Sequence, residues 1–569
     1  MRRTHQPYPS ILFLFVLILL VACQEQPASA DPKEKDIVEK PEQIDIRKSR
    51  NIEEAVRYAM QNNGRISDTL RLRLDTLVNT IYQQRNYKPL WSAEEKFSAL
   101  ADSLILFIEN SKEYGLFPSD YHNRALHNIQ ESLIKDSSSM KDAVIWSRAD
   151  MMLTDAFLLI SKHLKQGRLK YDSVTLRKDT VLSDSFYNRA LADLQYSRQI
   201  KQVFHALEPR HKGYDSLKIG LKFFLDSIQS FKRYTRVIYP NRDSVALYSQ
   251  LQRRLFEEDA LPSPSDAVDT ATWRSVIGTY QKSHGLKVTG KINENTANSL
   301  NSTPWEKFKR IAINLDRYKL LPDSMPEKYI WVNIPSYYMR LFDSDTVALL
   351  SRVVVGKPLT RTPLLTSRIT DMITYPQWTM PTSIIEKEVL PGVKKNPDYF
   401  QKHGYSLVSE NGDEIDPYTV DWKKYKKGIP YKVIQGSGDA NALGVLKFNF
   451  SNKYAVYLHD TNQRYLFKNA SRSLSHGCVR VQEWQKLAHY LIQTDSLNKK
   501  PNVSVIKSDS LRAWLQRKEK HYLPVRTPVQ VFIRYFSVEG IGGKVKFYED
   551  IYGEDKMLSE RYFADKSIQ

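Results

Sequence analysis

A chain of 569 residues is too long for one hydrophobic core, and about two to four domains are expected. Its apolar and charged contents, 41% and 26%, are those of an ordinary globular protein, and beyond the first two dozen residues no apolar run is long enough to span a bilayer. The net charge of +20 and pI near 9.4 favour anionic partners in general, but zinc-finger spacing, an RNA-recognition motif and a dense basic helix are missing, so the charge reads as a solvated basic surface and nucleic acid is not expected as a partner.

At the N-terminus, Arg2 and Arg3 precede a compact apolar run from Ile11 to Val21, the pattern of a secretory signal. The run ends in Leu20-Val21-Ala22-Cys23, which resembles the lipobox of bacterial lipoproteins. That resemblance implies removal of residues 1–22 and lipidation of Cys23; a plain signal peptide or membrane anchor with a chance cysteine is the alternative. Residues 23–48 are polar and read as a flexible tether.

Residues 49–245 read as a helical scaffold, with apolar stripes at three- and four-residue spacing in Leu100, Leu104, Phe107 and Ile108, and again in Leu153, Ala156, Phe157 and Ile160. Residues 246–302 read as a small helical module. Its Tyr280-Gln281 pair, His284-Gly285-Leu286 turn, Gly290 turn and Asn295-to-Asn301 helix resemble the common peptidoglycan-binding repeat. A generic helix-turn-helix packing unit fits the same pattern, so glycan binding by the module stays open.

After a connector (303–328), β-branched and aromatic runs such as Tyr329-Ile330-Trp331-Val332 and Val353-Val354-Val355 signal strands, and residues 329–507 read as a mostly β domain. Within it, about 384–430 is more polar and helical, an insertion suited to a lid. Residues 508–569 are expected to pack on that domain, with Val529-Val531-Ile533 and Val545-Phe547 forming a hairpin that closes the sheet.

Only two cysteines exist, Cys23 and Cys478. In an exported protein a solitary unacylated thiol calls for a chemical reason. The neighbours of Cys478 supply one: Ser475-His476-Gly477-Cys478-Val479-Arg480-Val481, with Tyr457-Leu458-His459-Asp460-Thr461 upstream. A nucleophilic cysteine must be a thiolate, and a nearby imidazole can stabilise it and shuttle a proton near neutral pH. Gly477 allows close backbone approach, so N–H groups around Gly477 and Cys478 could hold an oxyanion. Zinc is a weaker reading of His459, Asp460, His476 and Cys478, because no short-range ligand pair such as Cys-x-x-Cys exists; neither metal nor cofactor is expected.

These two pieces resemble the signature of the L,D-transpeptidase family: a histidine, about fifteen residues, then Ser/Thr-His-Gly-Cys, an apolar residue, and Asn or Arg. The resemblance extends to Asn333-Ile334-Pro335, Val355-Gly356-Lys357-Pro358, Thr362-Pro363, Tyr375-Pro376-Gln377-Trp378 and Asn441-Ala442-Leu443-Gly444. In the helical part it includes Tyr87-Lys88-Pro89-Leu90-Trp91 and Leu153-Thr154-Asp155-Ala156-Phe157. It implies a multidomain α+β chain: a mostly β catalytic domain with a helical lid, preceded by an all-α scaffold and a small helical peptidoglycan-binding-like domain. It further implies Cys478 as nucleophile and His459 as base, with Ser475, His476 and Gly477 shaping the site and Tyr457 and Arg480 holding the donor. What orients His459 is open among Asp460, Ser475 and a backbone carbonyl. The implied partners are peptidoglycan stem peptides, the membrane through Cys23, and candidate cell-wall synthases, in a periplasmic, lipid-anchored setting. The acceptor could be a stem amine, water, a protein or a free amino acid, and a non-catalytic wall-binding scaffold is the reading of another class.

Overall fold

The computed structural model describes residues 34–566 except 171, 173, 177–180, 229–232, 285, 287, 345 and 499–503. The signal, Cys23 and the start of the tether lie outside the described residues. The chain divides into two compact units, one of residues 1–98 with 128–155, the other of 99–127 with 156–569.

In the first unit the chain is ordered earlier than the tether expectation allowed. Helix Ile44–Gln61 starts inside the stretch assigned to the tether, because Ile44, Ile52 and Val56 bury an apolar stripe and Lys48 is itself buried. Buried Asp150 gathers the Tyr82 hydroxyl at 2.6 Å and the Leu90 and Trp91 N–H groups at 2.7 and 3.0 Å, while the Trp91 indole donates to Thr154. The aromatic Tyr87–Trp91 stretch is thus tied to the helix bearing Thr154 by satisfying a buried carboxylate.

The second unit holds the small module and the β domain. The module is three helices, Ser244–Phe256, Thr270–Ser283 and Glu294–Leu300, closed over Leu251, Leu255, Ile277, Tyr280 and Leu300. Fully buried Gln281 accepts from the Thr289 and Gly290 N–H groups and donates to the Lys291 carbonyl and Thr296 hydroxyl, so its amide is the strut of the turn between helices.

The β domain is a closed ring of strands. We number them β1 (Lys328–Asn333), β2 (Tyr338–Asp343), β3 (Thr346–Gly356), β4 (Leu365–Thr374), β5 (Leu446–Phe450), β6 (Leu458–His459), β7 (Ser473–Ser475), β8 (Val479–Val481), β9 (Tyr522–Pro524) and β10 (Gln530–Arg534). The order is β5-β6-β8-β3-β2-β1-β10-β4-β9, and β4 closes the ring by pairing β10 through residues 365–368 and β5 through 369–374. Ile330, Val332, Val353, Val355, Phe448, Leu458, Val479 and Ile533 fill one core inside it.

Two expectations are corrected here. Residues 529–533 and 545–547 do not pair with each other: β10 is an inner strand running parallel to β1, so the sheet continues past residue 507, and Lys544–Phe547 pairs instead with Val538–Ile541 in a separate hairpin. The insertion is not simply helical. Its helices include the π-helical turn Ile385–Val389, but Trp378–Thr379, Lys432–Gln435, Tyr405–Val408 and Glu414–Ile415 form a four-stranded sheet around a small core of Val389, Phe400, Leu407 and Val433. These strands are two to four residues long, too short to show alternation in the sequence.

Candidate active site

Strands β5, β6 and β8 lie side by side, and their registers fix what meets. Lys447 pairs with His459 across β5–β6, and His459 with Arg480 across the parallel β6–β8 pair. Phe448, Leu458 and Val479 point into the core, so the alternate residues stand on the other face. The ladder continues one step before the strands, where the Val479 N–H donates to the Tyr457 carbonyl at 3.1 Å. Tyr457, His459, Cys478 and Arg480 therefore share that face, with the Tyr457 and His459 rings 5.6 Å apart.

Cys478 is half-buried, with Sγ 3.9 Å from the Ala455 carbonyl, and its thiol also meets the Tyr457 hydroxyl in a hydrogen bond. Burial pushes the thiol up; the Tyr457 hydrogen bond, Lys447 and Arg480 oppose that. Burial likewise raises Tyr457, so its hydroxyl stays a donor through the neutral range. His459 is buried and pushed down to about 3, by loss of water first and by Arg480 second. The resting pair is thus a protonated thiol and a neutral imidazole, the state in which His459 can accept a proton.

The orienting group for His459 is neither side chain considered. Asp460 is turned away, accepting from the Val445 N–H at 3.1 Å and from Arg464 at 2.6 Å. Ser475 donates to the Cys478 carbonyl at 2.6 Å. The buried Nδ1 atom of His459 has no hydrogen-bond partner among the described residues, and the backbone of Asp460 and Leu443 lies against the ring.

The turn before Cys478 is held from several sides. The Gly477 N–H, expected as an oxyanion donor, donates to Ser475 Oγ at 3.1 Å. Gly477 has φ +121°, a conformation that side chains other than glycine rarely adopt. Its carbonyl accepts from the Thr362 hydroxyl at 2.8 Å. His476 projects outward, its Nε2 paired with Glu388 of the insertion. Arg480 donates to Gln463 at 2.9 Å, its Nε is buried without a partner, and no carboxylate pairs with it among the described residues, so its planar fork remains available to an anionic ligand.

Three residues of this neighbourhood were not singled out as site residues from the sequence: Lys447, Thr362 and Glu388. Nothing local marks them, since each reaches the site by strand register or from far along the chain.

Comparison with known proteins agrees with this organisation. Residues 327–531 match the family described as "L,D-transpeptidase catalytic domain", residues 244–300 the "Putative peptidoglycan binding domain" and residues 76–221 the "Scaffold domain". A protein of Haemophilus influenzae named "Putative L,D-transpeptidase" is 34% identical over 251 residues, 44% of this chain, and the chain spans about half (49%) of the length of that curated relative. Among solved structures, the catalytic domain of an E. faecium L,D-transpeptidase acylated by ertapenem aligns at 16% identity over 28% of this chain and 83% of that one, with a TM-score of 0.15. An L,D-transpeptidase from Xylanimonas cellulosilytica aligns at 12% identity over 54% and 98%, with a TM-score of 0.14. It is the domain at residues 327–531 that matches the L,D-transpeptidase catalytic domain family.

Proposed function

We propose that the chain is a cysteine L,D-transpeptidase acting on peptidoglycan, exported and lipid-anchored through Cys23. The observation that carries the reading is the convergence of Cys478, Tyr457, His459 and Arg480 on one face of the barrel. In this reading the Cys478 proton passes to His459 as sulfur attacks the carbonyl of the third residue of a tetrapeptide stem. The Cys478 N–H bears the oxyanion, and Arg480 and Tyr457 hold the donor. Collapse breaks the bond to D-alanine, whose amine takes the proton from His459, and leaves a thioester on Cys478. The side-chain amine of a third residue in another stem then attacks the thioester; His459 takes the amine's proton and returns it to sulfur. The small helical module supports wall binding, and cell-wall synthases are candidate partners.

The test is mass spectrometry of purified disaccharide-tetrapeptide after incubation with the chain and with Cys478→Ala. Dimers joined through third residues, absent with the variant, are expected. Tripeptide without dimer would mean water is the acceptor, an L,D-carboxypeptidase. An unchanged substrate from folded, reduced protein would leave another acceptor or the non-catalytic scaffold. Cross-linking by Cys478→Ala would sink the nucleophile assignment. Ertapenem, which acylates the E. faecium domain, is expected to add its mass at Cys478.

A further inference from the structure

The half-buried ammonium of Lys447 stands in a row with two residues of the site and makes no ion pair or hydrogen bond among the described residues. Its Nζ lies 4.0 Å from the centre of the Tyr457 ring, whose hydroxyl meets the Cys478 thiol. Charge on Lys447 and charge on Cys478 each bear on the other. Asp371 on β4 also bears on Lys447, but its carboxylate is taken by Asn449 at 2.5 Å and Thr370 at 2.8 Å. A cation withdrawn from water without a carboxylate is costly unless an anion arrives to meet it.

The site has a use for such a cation. Its imidazole is neutral at rest, so no imidazolium stands ready to stabilise a thiolate. Positive charge must come from groups that stay ionised; among the described residues, the charged or titratable groups that act on the sulfur are Lys447 from β5, Tyr457 just before β6 and Arg480 from β8, with His459 on the same face. Tyr465 bears on Arg480 from outside this row. Arg480 is engaged with Gln463 and, in the transpeptidase reading, with the donor.

We propose that Lys447 is a positioning residue that supports the Cys478 thiolate, so that nucleophile activation is shared across three adjacent strands. This rests on the transpeptidase reading for its purpose. The thiolate itself can be tested without any peptidoglycan, so the two claims fail separately.

The experiment is the pH dependence of Cys478 alkylation by iodoacetamide in the full chain, with Cys478→Ala as the blank and melting temperature as the folding control. Lys447→Met keeps the stem and removes the charge; Lys447→Gln is the second neutral variant; Lys447→Arg keeps the charge. Both neutral variants are expected to move the alkylation midpoint up by about one unit, alkylating about tenfold more slowly below it, and Lys447→Arg to restore the wild-type midpoint. A wild-type midpoint in either folded neutral variant would overturn the proposal. So would an equal upward shift in Lys447→Arg, which would mark Lys447 as packing for the Tyr457 ring alone.

Discussion

The Thr362 hydroxyl donates to the Gly477 carbonyl at 2.8 Å while accepting the Gly356 N–H at 2.9 Å, which ties the turn before the nucleophile to the end of β3. The Tyr552 hydroxyl extends the tie, accepting the Thr362 N–H at 3.0 Å and donating to the Gly356 carbonyl at 2.8 Å. The peptide that links Gly477 to Cys478 is oriented by this chain, so its N–H depends on Thr362.

Substituting Thr362→Val keeps the shape and removes the hydroxyl. Two lost hydrogen bonds, with the Gly477 carbonyl and the Gly356 N–H left unsatisfied, should cost about 2–4 kcal/mol of stability. In the proposed reaction, a misaimed N–H should lower the turnover number of cross-linking by about tenfold or more, with little change in KM. Steady-state kinetics beside a thermal melt separate the two effects, and a stability loss with unchanged turnover would show that Thr362 is only a brace.

Gly444 has φ +63°, and a Cβ there would stand 2.3 Å from Asp460 Oδ2 and 2.6 Å from the Thr461 N. Gly444→Ala must therefore push the buried Asp460 carboxylate off the Val445 N–H and away from Arg464. Displacement at Asp460 moves its neighbour His459 at the end of β6. A loss of about 2–4 kcal/mol is expected in chemical denaturation, with turnover falling further than the unfolded fraction explains.

The parts of the site that were legible in the sequence are those whose geometry is local. Cys478 and Arg480 are two residues apart at one strand, and so are Tyr457 and His459 at the next; alternation alone puts each pair on one face. That the two strands are neighbours follows from barrel order, which periodicity does not encode. Lys447 stayed hidden for the same reason, since in the sequence Lys447-Phe448-Asn449-Phe450 is only an alternating strand. Glu388 and Tyr552 reach the site across separations of 88 and 196 residues, which leave no spacing signal. The buried stripe of Leu153, Ala156, Phe157 and Ile160 was readable because a helix buries what its own period aligns. The helix beginning at Ile44 was masked by polar residues whose role depends on partners outside it, as with buried Lys48 held by the Glu94 carbonyl at 2.8 Å.

The depressed pKa of His459 gives the acylation step a recognisable pH profile. An ordinary base histidine would impose a loss of activity below about 6.5. Held down to about 3, His459 stays neutral through that range, and Cys478, pushed up by burial, stays protonated through it, so the pair that exchanges the proton keeps one charge state. Acylation kcat/KM measured from about pH 5 to 9 should therefore show no inflection near 6.5. An inflection there that disappears in a His459 variant would contradict the buried, neutral imidazole.

Glu554 provides a test of stability in which pH acts in the opposite direction to most carboxylates. It lies in the helix Glu554–Tyr562, buried, with Oε2 lacking a hydrogen-bond partner among the described residues and 3.7 Å from Arg317, whose stronger bond is to Asp555 at 2.6 Å. Burial raises it from 4.5 to about 8, with Asp550 and Asp555 adding to the rise against the pull of Arg317. The folded state thus holds a proton that the unfolded state gives up. The contribution to stability is complete below pH 4.5 and is lost as pH rises through about 8. Glu554→Gln mimics the protonated group permanently. It should melt close to wild type at pH 5 and above it at pH 9, by about 1–3 kcal/mol, so the gap between the two proteins widens with pH. A gap that is constant or shrinks as pH rises would mean that the Glu554 carboxylate is ionised in the folded protein and stabilised by Arg317.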